Sequence, residues 1–273
     1  MHPLLNTDEQ SNSDMRIIDS HCHLDDKSYQ NDLQEVVARA EAADVVRAMV
    51  VGVSEASSRR CAALADNSDF FYASVGIHPH DAADTDEGVL TRLAELAKGD
   101  RVKAWGECGL DFNRMYSPKD VQETWFVRQL EVAQSLDLPL IFHERDTEGR
   151  FLEMLSAHRF DGLRGVVHCF SGSTQEMEAY LDMGLHIGVT GIVTIQKRGE
   201  HLREQVLAIP RERLLVETDA PYLTPAPHKN KVRRNEPAFV REVLFKLAAV
   251  RGDDVELLAD TVWNNTTALF DLS

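Results

Sequence analysis

"MRIIDSHCHL", residues 15–24, is an apolar run that ends in two imidazoles one residue apart. Ile17 and Ile18 are β-branched and suit a buried strand. Successive strand side chains alternate faces, so His21 and His23 point the same way and Cys22 the other. Two imidazoles side by side either share a metal ion or form a hydrogen-bonded pair at a strand end, and this stretch alone leaves both readings open. The pattern recurs, and its recurrence decides the fold. Apolar runs at 15–19, 47–53, 71–76, 102–107, 138–143, 164–168, 185–189 and 213–218 read as strands. Amphipathic helical stretches lie between them, clearest at 32–43, 118–136 and 174–183, and a last helical block covers 236–250 and 254–270. Eight β-rich strands separated by helices predict parallel βαβ units. No linker-like stretch divides the sequence and no fixed-period repeat stands out. Eight units over about 250 residues fit a single (β/α)8 TIM barrel, here assigned to 15–273. A doubly wound open sheet is the alternative, but no G-x-G-x-x-G turn follows the first strand.

Composition narrows the class. No apolar stretch is long enough to span a bilayer, so no membrane association is expected. The first 14 residues, "MHPLLNTDEQSNSD", lack the basic and apolar regions of a secretory signal and read as a flexible, dispensable tail. Cys22, Cys108 and Cys169 each stand beside a His or Glu, which makes them outward-facing small hydrophobes if their neighbours face inward. With no C-x-x-C pair, a cysteine zinc site is not expected, and a reducing cytoplasm fits. The formal charge of −16 excludes a general basic DNA-coating protein. It leaves room for an enzyme whose phosphate affinity comes from metal ions and a local basic loop.

In a barrel, functional side chains gather at the C-terminal ends of the strands. His21 and His23 follow strand one, His78 in "VGIHPHD" follows strand three, and Glu107 in "WGECGLDF" ends strand four. His143 in "PLIFHERD" ends strand five, His168 in "GVVHCFSG" ends strand six, and Asp219 in "LLVETDAPYL" ends strand eight. These are more ligands than one tetrahedral metal needs. Two divalent ions sharing a carboxylate would use them, with Glu107 as the natural bridge. Without metal the cluster would be a costly concentration of desolvated polar groups. Of His78 and His80, flanking Pro79, one is expected to contact phosphate and the other to be structural. Glu217 shares the face of Asp219 and reads either as a carboxylate supporting a ligand or as a water-orienting group. Arg145 is placed to meet a substrate anion, or else to pair with Asp146 or Glu148. His158, His186 and His201 lie away from the strand ends and read as ordinary. The run "HKNKVRRNEP", 228–237, puts Lys229, Lys231, Arg233 and Arg234 in a loop after strand eight, where Arg233 and Arg234 are expected to grip a polyanion.

Taken together, "DSHCHLD", "VGIHPHD", "WGECGLDFNR", "FHERD", "HCFSG", "ETDAPYLTP" and "RRNEPAFV" resemble, in order, the motifs of the TatD deoxyribonucleases within the metal-dependent, amidohydrolase-like hydrolases. The likeness runs from about residue 15 to the C-terminus, and through "GECGLDFNR" and "RRNEP" it is nearest to the family's namesake. The namesake is degenerate at the first motif, whereas this chain keeps His-x-His, so a complete two-metal site is expected. The resemblance implies one metal held by His21, His23, Glu107 and Asp219, and a second held by Glu107, His143 and His168. It implies a nuclease dependent on Mg²⁺ or Mn²⁺, removing nucleotides from the 3′ end of single-stranded DNA and of RNA. The His-rich ligand set suits Zn²⁺ as well. In the mechanism that follows, Asp219 accepts a proton from the attacking water, and the metals with His78 offset charge on the phosphate. No obligate protein partner is evident. The rival readings are a hydrolase of another ester or amide, such as a tRNA deacylase, and a non-enzymatic acidic scaffold.

Overall fold

The computed structural model describes residues 15–272; the tail assigned to 1–14 lies outside them. Eight strands, β1 Ile17–Cys22, β2 Val45–Val51, β3 Phe71–Val75, β4 Val102–Asp111, β5 Leu140–Arg145, β6 Gly165–Val167, β7 His186–Val189 and β8 Leu214–Val216, pair in parallel in chain order. The helices α1 Leu33–Glu41, α2 Glu55–Asp66, α3 Glu87–Leu96, α4 Lys119–Leu136, α5 Arg150–Ala157, α6 Thr174–Asp182, α7 Glu200–Gln205, α8 Val240–Arg251 and α9 Val255–Phe270 intervene or follow. This is the (β/α)8 barrel expected from the sequence. Helix starts follow from capping chemistry: Ser54, Asp86 and Asp254 each accept an N–H from the first turn of α2, α3 and α9. Ser173 and Glu176 form a capping box at α6.

Three strands run further than their apolar runs; β5 passes His143, its expected end, to reach Arg145. β4 was expected to stop at Glu107 but continues to Asp111, pairing with β5 as far as Asp111 opposite Arg145. Gly109 permits this, because a Cβ there would stand 1.9 Å from the His143 carbonyl oxygen. Glu107 therefore lies inside β4 rather than at its end, after a register shift between Trp105 and Cys108. β1 reaches Cys22 because its polar residues are satisfied across the seam with β8. Asp19 accepts from the Thr218 hydroxyl at 2.5 Å and its N–H at 2.8 Å, and Ser20 donates to the Val216 carbonyl. The seam is completed by His23 N–H to Ala220 O and Asp219 N–H to His21 O, at 2.7 and 2.9 Å.

Two cores result. The larger packs the outward faces of the strands against the helices. The smaller fills the barrel interior with Met49, Val51, Tyr72, Ala104, Ile141, Val166 and Leu215, closed from below by Leu269 and Phe270 of α9. Above this plug the inward-facing side chains change from apolar to ionisable.

Candidate metal centre

β1 and the turn after β8 bring His21, His23 and Asp219 to one side of Glu107. His21 Nε2 lies 3.2 Å from His23 Nε2, 3.4 Å from Glu107 Oε2 and 3.8 Å from Asp219 Oδ1. His23 Nε2 lies 3.7 Å from Glu107 Oε2 and 3.4 Å from Asp219 Oδ1. A tetrahedral ion with nitrogen and oxygen ligands at about 2.1 Å spaces them about 3.4 Å apart. The five distances scatter around that value, so the four donors fit a cation at their centre.

The other carboxylate oxygen serves a second group. Glu107 Oε1 lies 2.7 Å from His143 Nδ1, 3.0 Å from His168 Nε2 and 3.6 Å from His78 Nε2. One residue thus presents one oxygen to each set of imidazoles. The two sets are packed together, with the His21 and His168 rings stacked at 3.8 Å between centroids.

The remaining ring nitrogens settle the tautomers. His23 Nδ1 faces the Val51 carbonyl at 3.1 Å, which can only accept, so this nitrogen carries a hydrogen and Nε2 is the atom turned to the carboxylates, where a cation would take the place of its proton. Asp111 does the same for His143, accepting from its Nε2 at 3.2 Å, and also pairs with His80 at 2.8 Å. His78 is opposite in sense. The His80 N–H donates to His78 Nδ1 at 3.0 Å, so the hydrogen sits on Nε2, the atom turned toward Glu107. A protonated nitrogen is a donor and not a metal ligand. His78 thus turns an N–H into the centre, while His80 is tied to Asp111. Glu217 lies below His168, with Oε1 3.4 Å from its Nδ1, and accepts from the Cys169 N–H at 2.5 Å. Gly188 gives that carboxylate its room, since a Cβ there would approach Glu217 Oε2 to 2.5 Å. Glu217 thus sits behind the His168 ring, away from the Glu107 side.

Charge balance in the cluster favours cations. Burial would raise the Glu107 carboxyl, but His168, His78, His21 and His143 hold it well below the usual carboxylate range. Burial would likewise depress His23, yet the hydrogen bond to Asp219 and the charges of Glu107 and Asp219 push it up to about 9. His78, buried among other imidazoles, is held well below its ordinary value and stays neutral. The carboxylates thus draw positive charge into the place that the donor geometry shapes for an ion.

The centre opens into a cavity of about 960 Å³ lined by His23, His78, His80, Glu107, Asp111, His143, His168 and Asp219. Arg145, the last residue of β5, lines it too, with Nε 4.0 Å from Asp146. Arg233 and Arg234 of loop 228–237 do not line it. Arg234 is committed elsewhere: it pairs with Asp32 at 2.5 Å, donates to the Ser28 carbonyl and covers the Tyr29 ring at 4.2 Å. Arg233 is exposed and outside the cavity. The cavity cations are instead Lys27, Arg60, Arg114, Arg145 and Arg198, of which Arg60 pairs with Asp25 at 2.8 Å. Sequence reasoning singled out Arg145 but missed the other four, and it missed Asp111. Strand alternation could have found Asp111, because 107, 109 and 111 share a face. The four cysteines are free thiols; Cys22, Cys61 and Cys108 are buried, and Cys169 is partly so.

The family model of TatD-related DNases matches residues 18–271. A protein of Rahnella sp. named 3'-5' ssDNA/RNA exonuclease TatD is 43% identical over 254 residues, covering 92% of this chain and 97% of the relative. A Bacillus subtilis protein named uncharacterized metal-dependent hydrolase YabD is 37% identical, covering 93% of this chain and 98% of its own. The crystal structure of YJJV, a TatD homologue of Escherichia coli K12, matches with a TM-score of 0.88 at 31% identity, covering 95% of this chain and 99% of that one.

Proposed function

This chain belongs to the TatD-related DNase family, and from that footing we propose that it is a cytoplasmic, divalent-metal-dependent exonuclease removing nucleotides from the 3′ end of single-stranded DNA and RNA. The observation that carries the reading is the division of Glu107, whose Oε2 faces His21 and His23 while Oε1 faces His143 and His168. Two ions are inferred, the first with His21, His23, Glu107 and Asp219, the second with Glu107, His143 and His168. Mg²⁺ or Mn²⁺ suits phosphate chemistry, and Zn²⁺ suits the imidazoles. When bound, such ions supply Lewis acidity at phosphorus and lower the pKa of water.

The chain's own residues do the rest. Burial acts to raise the Asp219 carboxyl, but the hydrogen bond from His23 and the neighbouring imidazoles bring it below its usual value, so it is ionised and able to take a proton at the cavity wall. His78, neutral and carrying its hydrogen on Nε2, donates to a non-bridging phosphate oxygen. Glu217 holds the His168 ring, and Asp111 the His143 ring. Arg145 offers a guanidinium to the adjacent phosphate.

The test is digestion of 5′- and 3′-labelled single- and double-stranded DNA and RNA, with Mg²⁺, Mn²⁺, Zn²⁺ or chelator. The reading expects metal-dependent loss of the 3′ label first, and a ladder shortening from that end on single strands. Hydrolysis of small esters or aminoacyl-tRNA with no cleavage of any oligonucleotide would replace the reading by the rival hydrolase. No turnover of any of these substrates by fully metal-loaded protein would leave the scaffold reading.

A further inference from the structure

Two aromatic rings stand bare at the mouth of the metal cavity. Tyr116, in the loop between β4 and α4, is 67% exposed, and Tyr222, in the loop after β8, is 58% exposed. Both line the cavity. Tyr222 packs edge-on against His23, of the first donor group, at 6.1 Å between centroids. Tyr116 packs edge-on against His80, beside the second, at 4.8 Å. The two rings therefore flank the two halves of the centre that Glu107 divides.

Their backbones are anchored. Asn235, fully buried, donates to the Thr218 and Tyr222 carbonyls at 2.9 and 2.6 Å. The Tyr222 N–H donates to Asp219 O at 2.8 Å. On the other side, Asp111 accepts from the Asn113 and Arg114 N–H groups, both at 2.9 Å. The buried Ser117, next to Tyr116, donates to the His80 carbonyl at 3.0 Å. Each ring is thus left exposed on a fixed support, at a cost in hydration that burial elsewhere would have avoided. Such an arrangement suits a flat apolar face arriving from solution. Lys27, Arg114, Arg145 and Arg198 stand in the cavity beside an Arg60 held by Asp25, but on a chain of formal charge −16 their attraction is local. The rings offer a polyanion a grip that does not depend on phosphate charge.

We propose that Tyr116 and Tyr222 stack the two nucleobases on either side of the scissile phosphate, one ring per base. This deepens the nuclease reading and rests on it. A ring can take an unpaired, splayed base but not one inside a duplex, so the pair also selects single strands. Stacking is tolerant of base identity, because every base has a π-face.

The experiment uses the metal-loaded enzyme and a short single-stranded DNA with an abasic tetrahydrofuran residue at the 3′-terminal position, the penultimate position, or both. On the intact strand, Tyr116→Ala and Tyr222→Ala should each lower kcat/KM roughly tenfold, and each Tyr→Phe should retain most of it. In the wild type, each abasic position should cost a similar factor. Each alanine variant should be indifferent to one abasic position and sensitive to the other, and the two variants should differ in which. On the doubly abasic strand, wild type and variants should converge on one low rate. Equal losses on intact and doubly abasic strands would overturn the proposal by making the tyrosines props of the metal centre. Unchanged rates in both variants would overturn it as well. If the wild type cuts none of these strands, the nuclease reading itself has failed, which the first comparison reveals before any variant is made.

Discussion

The two ends of the barrel interior are built from the same strands and obey opposite rules. At the lower end Ile141 of β5, Val166 of β6 and Leu215 of β8 pack with Met49, Val51 and Phe270 into an apolar plug. Two residues further along, about 6–7 Å up each strand, the inward positions are His143, His168 and Glu217. With Glu107 those side chains bring imidazoles and carboxylates within 2.7–3.4 Å of one another. The lower layer is what a fold needs in order to be stable. The upper layer has polar groups that only a further cation would fully satisfy, which is the pattern of a site that trades stability for function. Substitutions at the two ends should accordingly fail in different ways.

The largest effect is expected at the top. Glu107→Gln removes the charge that both donor groups face, and activity should fall on the order of a thousandfold, the equivalent of several kcal/mol of transition-state stabilisation. The melting temperature of the metal-free protein should move little. A variant that keeps most of its activity, or unfolds, would erase the contrast between the two ends. At the bottom, Leu215→Ala should cost about 2–5 kcal/mol in denaturant unfolding while the folded fraction keeps the wild-type kcat. Loss of kcat in step with stability would mean that the plug and the centre are one unit.

His186 sharpens the comparison because it is an imidazole placed away from the centre. Burial, helped by the charge of Arg213, pushes its pKa down from 6.5 to about 4. A basic group with a depressed folded pKa binds more protons unfolded, so its contribution is complete above pH 6.5 and is lost as pH falls toward 4. Up to about 3 kcal/mol hangs on that window. The difference in unfolding free energy between wild type and His186→Gln should therefore depend on pH between 6.5 and 4, and parallel curves would remove the claim. The smallest effect concerns support of a ligand. Glu217→Gln should lower metal affinity or activity by about 10–100-fold, less than Glu107→Gln, and an equal loss would make Glu217 a direct participant.

Much of this was legible in the sequence because strand alternation is a strong rule. Six ordered motifs placed His21, His23, His78, Glu107, His143, His168 and Asp219 on one rim, and the structure brings all seven residues together. The reading failed where a side chain's partner lies far off in the chain. Arg234 looked free in "HKNKVRRNEP", but its partners are Ser28 and Asp32, some two hundred residues away. Asp111 was hidden because the apolar run of β4 is broken at Glu107, and Gly109, a weak strand former, lies between it and Asp111. Tyr116 and Tyr222 gave no signal, since exposure of a ring is decided by loops whose anchors, Ser117 and Asn235, are recognisable only once folded.

The central claim is that Glu107 joins two ion sites. Its most direct test is metal content after saturation with Mn²⁺ and desalting, measured by mass spectrometry on wild type, His143→Ala and Glu107→Gln. The account predicts two equivalents in the wild type, one in His143→Ala, and retention of neither in Glu107→Gln. Two full equivalents bound by Glu107→Gln would contradict it.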